Sequence, residues 1–186
     1  MTALPIPYLS DRLNSGPARP AQKRDFQLGP VARTAIGIAG FTMTFLSLFA
    51  VARGVLGLTP ELPHLKNIAV IIHVASVLPA VPLGAYVLLA RKGTPRHRLL
   101  GKVWLVLMLV TATSAIFIQT SGGLSFIHIF VPITFHAAWK TIATARKGDI
   151  AGHKKHLVVT YMTALMIPGI VAFALPGRLM NVMLLW

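Results

Sequence analysis

Five stretches of mainly apolar residues, at about 34–58, 67–90, 99–120, 125–145 and 157–175, are separated by short polar or basic segments. Roughly 20 apolar residues cross the hydrocarbon of a bilayer as a helix. Without water, the backbone N–H and C=O groups of such a run must pair within the run, so helix is predicted for all five. The pattern therefore predicts an all-α polytopic membrane bundle over residues 31–186. Residues 1–30 differ: they are Pro-rich and basic, with Arg12, Arg19, Lys23 and Arg24, and read as a tail on or near the membrane. Plain disorder is the competing reading of that tail.

Punctuation within the runs adds detail. The first is rich in small residues (Ala35, Gly37, Ala39, Gly40, Thr44), which suits close helix packing, and Arg53 near its end can snorkel to the interface. Pro79 and Pro82 fall in the second run, Pro132 in the fourth and Pro168-Gly169 in the fifth, each an expected kink or break. Trp104 lies near a basic segment, as an interface anchor would. Pro176-Gly177-Arg178 opens a short final segment ending at Trp186.

The chain also repeats itself. An offset of 55 positions lays Ala90-Arg91-Lys92-Gly93 on Ala145-Arg146-Lys147-Gly148 and Ile72-His73-Val74 on Ile127-His128-Ile129. With one residue inserted, His97-Arg98 meets His153-Lys154. The second to fifth spans thus read as a four-helix core made from a tandem two-helix repeat, preceded by one leading helix.

Composition sharpens the picture. Hydrophobic residues make up 55% of the 186 and charged residues 12%, at a mean hydropathy of +0.70, which is too apolar for a soluble domain. The net charge of +14 sits between the apolar runs and not on a basic-aromatic face, so the expected partner is anionic lipid, not nucleic acid. Fifteen Lys and Arg fall on the tail and the two basic hinges, against Arg53, Lys66 and Arg178 on the other side, which predicts a cytoplasmic N-terminus and a periplasmic C-terminus. No apolar h-region occurs in the first thirty residues, so no cleavable signal peptide is expected. The absence of Cys rules out disulfides, iron–sulfur clusters and covalent haem attachment.

Candidate chemistry rests on histidine. No Asp or Glu lies within a span, which disfavours a proton-coupled small-solute transporter, and no phosphate loop or nucleophile motif is present. His73 and His128 each lie 17 residues before the matched Ala90 and Ala145. That is roughly 25 Å from one edge of the hydrocarbon, so the two imidazoles are level. They are the candidate ligands of a haem b or another metal, or the lining of a quinone pocket; interhelical hydrogen bonding is the bland alternative. His136 has no repeat partner and is a further cofactor-binding candidate, through a quinone-like ligand or a pairing with Tyr161. At the basic hinges, Arg91, Lys92, Arg96, His97, Arg98 and Lys102 are expected to meet lipid headgroups. So are Arg146, Lys147, His153, Lys154, Lys155 and His156, although His97 with His153 or His156 could form a second histidine layer.

His73 in an apolar run, then His97-Arg98-x-x-Gly101-Lys102, then Gly148-Asp149-x-x-x-His153-Lys154, resembles a widespread bacterial family of predicted membrane proteins, a domain of unknown function. The likeness covers roughly residues 67–178. It departs at His156-Leu157, where that family commonly has Trp-Met. The resemblance implies a bacterial cytoplasmic-membrane protein and assigns no activity. The expected role is an accessory or assembly subunit of a larger membrane complex, with a redox component using the His73/His128 pair as the alternative.

Overall fold

The computed structural model describes residues 28–119 and 123–186, so the expectations for the tail up to residue 27 lie outside it. All regular structure among the described residues is helical. Helices α1 (Pro30–Val55), α2 (Ile68–Leu89) and α3 (Pro95–Ile116) are followed by α4 (Phe130–Arg146) and α5 (Ile150–Tyr161). A π segment, Met162–Met166, joins α5 to α6 (Ile167–Ala174), and α7 (Leu179–Leu185) closes the chain. Five helices are long and apolar enough to cross a membrane: α1, α2, α3, Phe126–Arg146 and the continuous Ile150–Ala174.

The third and fifth spans begin earlier than their apolar runs. Thr94 accepts from the backbone N–H of His97 at 3.1 Å, with Pro95 at the first helical position. Asp149 accepts from Gly152 N at 3.0 Å. These are equivalent N-caps, and each satisfies an otherwise orphan donor. Gly93 and Gly148, one residue ahead, both take positive φ, +85° and +68°, which a side chain would resist. Arg96, His97, Arg98 and His153 therefore lie in first turns of helices, not in loops.

Packing is densest where α2 meets α3. Trp104 is fully buried and donates Nε1–H to the Ala80 carbonyl at 3.1 Å. The sequence expectation of an interface anchor is thus corrected: the ring points into the bundle and finds its polar partner on α2. Tyr161, also fully buried, donates its hydroxyl to the Val81 carbonyl at 3.3 Å. Both rings press on Gly84, and Gly40 of α1 approaches Ala85 and Tyr161 as its small size allows.

The prolines do not break the spans. Pro79 and Pro82 face outward on a continuous α2. Ahead of Pro168, the backbone widens into the π segment, which accommodates the carbonyl that a missing N–H leaves unpaired. Arg53 donates to the Leu184 carbonyl and, at 3.2 Å, to the Leu58 carbonyl, pinning α7 against α1. Asn181 donates to the Phe173 carbonyl at 2.7 Å and ties α7 to α6.

Candidate functional site

A cavity of about 220 Å³ lies within the bundle, at the end away from the basic hinges. Its walls are largely apolar (Val74, Val77, Leu165 and Phe173 among them), and its polar lining includes His64, His73, Thr111, His128, Thr134 and Arg178. The two histidines matched by the repeat therefore share one chamber.

Their ring nitrogens are set differently. His73, on the second turn of α2, lies 3.0 Å through Nδ1 from the Thr111 carbonyl and 3.2 Å from Ser114 Oγ. A carbonyl only accepts, so in the neutral ring the proton sits on Nδ1 and the lone pair on Nε2. The support is itself braced, since Ser76 Oγ and Thr111 Oγ1 are 2.8 Å apart and Ser114 Oγ donates to the Thr111 carbonyl at 2.9 Å. A second layer of this kind fixes a ring's tautomer and angle.

His128 is not within a long helix but in a 3-10 turn, Phe126–Ile129, leading into α4. The Ser125 backbone N–H donates to its Nδ1 at 2.9 Å. The Ser125 carbonyl, 3.0 Å from Nδ1, already accepts from His128 N at 3.0 Å. The tautomer satisfying more groups has Nδ1 as acceptor and the proton on Nε2. That Nε2 is buried and has no hydrogen-bond partner, as is Nδ1 of His64. An unpaired buried polar atom costs about 1–3 kcal/mol, which a polar ligand would recover. On these tautomers the two rings that line the chamber differ at Nε2, an acceptor on His73 and a donor on His128.

His136 is placed elsewhere. It is exposed on α4, 5.8 Å from the Trp139 ring, and does not line the cavity, while the Tyr161 hydroxyl is taken by Val81. Lys140 Nζ lies 4.9 Å from the Trp139 ring centroid. No group of three or more His, Asp or Glu side chains among the described residues is arranged to hold a metal ion.

At the basic end, the rings of His97 and His153 meet edge to face at 6.3 Å, and His153 Nδ1 lies 3.1 Å from the Thr141 carbonyl. His97 is 7% exposed, so the expectation that it meets headgroups is corrected: its place in the first turn of α3 aims it at α5. Arg91, Arg96, Arg98, Lys102, Arg146, Lys147 and Lys155 are exposed, whereas Lys92, Lys154 and His156 are half-buried. Lys92 Nζ donates to the carbonyls of Leu88 and, at 3.2 Å, Ala90, capping the end of α2.

Sequence reasoning missed His64 and Arg178 as lining residues; it read Thr111 and Ser114 as hydrogen-bonding hydroxyls without placing them under His73. The first two come from short connections whose return over the bundle no periodicity encodes. Thr111 and Ser114 were visible as hydroxyls three apart on one face of a helix.

No curated protein and no solved structure matches the chain. A family model does, over residues 70–182, which spans both hinges, both matched histidines and most of the cavity wall. The chain belongs to the family described as Predicted membrane protein (DUF2306).

Proposed function

We propose that this membrane protein binds a lipid-soluble ring carrying ketone or hydroxyl oxygens, of the quinone or quinol class, in the His73–His128 chamber. The supporting observation is the complementary pair of ring nitrogens: a hydroxyl donates to His73 Nε2, and a carbonyl accepts from His128 Nε2–H. Ligand pockets commonly measure roughly 300–1,000 Å³, so a chamber of about 220 Å³ suits one substituted ring better than a macrocycle. Two-histidine haem ligation needs a lone pair on both Nε2 atoms, and the Ser125 N–H at His128 Nδ1 disfavours that. In this reading the basic end faces the cytoplasm of a bacterial inner membrane and the chamber opens toward the periplasmic leaflet, supported by the fifteen-to-three division of Lys and Arg.

Titration of the detergent-purified protein with decylubiquinol, whose hydroxyls can donate to one ring and accept from the other, followed by calorimetry, tests the reading. His73→Ala and His128→Ala are each expected to weaken binding about three- to tenfold, the worth of one hydrogen bond. His136→Ala is expected to leave it unchanged. Equal binding by all three variants, or a haem band in a reduced-minus-oxidised spectrum after haem-replete expression, overturns it.

A second reading, an accessory subunit of a larger membrane complex, is favoured by one surface. Phe41, Phe45 and Phe49 stack along the exposed face of α1, with ring centroids 6.5 and 6.3 Å apart. A stoichiometric complex that survives loss of both histidines, and falls apart when the three Phe are replaced by Ala, supports this role.

A further inference from the structure

The chamber has a polar corner besides its two matched histidines. His64, in the 3-10 turn Pro63–Lys66 ahead of α2, and Arg178, the residue just before α7, both line it. His64 Nδ1 is buried without a hydrogen-bond partner. Arg178 is half-buried, and its guanidinium makes no hydrogen bond or ion pair among the described residues. Arg53 gives the contrast, since its guanidinium is engaged by the Leu184 and Leu58 carbonyls. No carboxylate lines the cavity among the described residues, so a cation stands at a largely apolar wall with no counter-charge from them. Charge in such surroundings is stable when an opposite charge meets it with good hydrogen-bond geometry.

We infer that the occupant of this chamber carries a singly charged oxyanion, a carboxylate, bound by Arg178 and supported by His64 Nδ1–H. This rests on the ring-ligand reading above and narrows its class to a lipid-soluble ring acid. Charge counting sets the class: Arg178 is the one Lys or Arg among the lining residues, whereas a phosphate monoester brings a charge near −2. The planar guanidinium matches a carboxylate through two parallel hydrogen bonds. A phospholipid phosphodiester also carries one negative charge, and the experiment separates that source from a ring acid.

The test is calorimetric titration of the full chain in neutral detergent with 3-decyl-4-hydroxybenzoic acid and with its methyl ester, at a pH where the acid is ionised. The acid is expected to bind about tenfold more tightly, the worth of a charged hydrogen-bond pair. Arg178→Gln is expected to bring the acid down to the ester and leave the ester unchanged, while Arg178→Lys keeps the acid ahead. His64→Ala is expected to weaken the acid about threefold, and Lys66→Gln, outside the cavity, to leave it unchanged. Displacement of the acid by phosphatidylglycerol, with the same Arg178 dependence, supports the anion site with a lipid phosphodiester as its source. Equal binding of acid and ester, or equal weakening by Lys66→Gln and Arg178→Gln, overturns it. If decylubiquinol still binds through His73 and His128 in that case, the anion inference alone has failed. Arg178-dependent binding of the acid without any binding of decylubiquinol sinks the paired-histidine reading and leaves the anion site standing. Circular dichroism of each variant separates lost binding from lost fold.

Discussion

A methyl group on Gly84 would sit 2.6 Å from Trp104 Nε1 and 2.7 Å from the Tyr161 ring. Neither ring can retreat, because each is fully buried and hydrogen-bonded to α2. Gly84→Ala is accordingly expected to lower stability by about 1–3 kcal/mol, the usual cost of overpacking, read as a lower melting temperature in detergent. Lys92 offers a test by pH. Burial, then Arg33 and Lys154, hold its folded value at about 8, below the unfolded value near 10.5, so between these limits the unfolded chain binds more protons and stability rises with pH. The penalty is fully present below about pH 8 and fades toward pH 10. Lys92→Met is expected to flatten that segment of a melting-temperature profile, with Arg33, Arg91 and Lys154 still in place. Single residues were partly legible. His73 and His128 stood out because an imidazole in an apolar run is costly. Trp104 misled, because which way a ring faces depends on where the neighbouring helix lies, and sequence proximity to basic residues does not report it.

Between residues and bundle, the two hinges are the most repeated elements. Each pairs a left-handed glycine with a capping side chain, Gly93-Thr94 and Gly148-Asp149. Replacing either glycine by Ala is expected to cost about 1–2 kcal/mol, the penalty of a left-handed Cβ. Thermal unfolding of the two variants checks this, and any departure from additivity in the double variant measures the coupling of the hinges through His97 and His153. Hinge identity was readable from Arg-Lys-Gly recurring at a fixed offset. Helix starts were less so, since hydropathy marks where the lipid begins while caps and Pro95 mark where the helix begins. The prolines were read as kinks that membrane helices tolerate, with an interruption expected at Pro168-Gly169 in the apolar setting of the fifth span. Helix α2 stays continuous, and the fifth span answers Pro168 with a π turn.

For the molecule as a whole, the number of spans followed from length and hydropathy alone, because the bilayer fixes the helix length. Orientation can be checked with single cysteines, since the chain has none of its own. Lys147→Cys is expected to react with an impermeant maleimide only after the membrane is opened, and Glu61→Cys in intact cells. The reverse pattern would invert the placement of the chamber. What the sequence could not disclose is that the His73–His128 chamber is walled by more than the repeat. Met43 and Ser47 of α1 and Leu179 and Met180 of α7 belong to it, and α7 is held there by Arg53. This has a bearing on biogenesis. Because the final wall is contributed by a helix translated after the fifth span, a nascent chain with every transmembrane segment already inserted still has an unfinished chamber. In the reading proposed above, a ring ligand binds only once α7 has docked, and a truncation removing only α7 should leave the protein inserted yet unable to bind it.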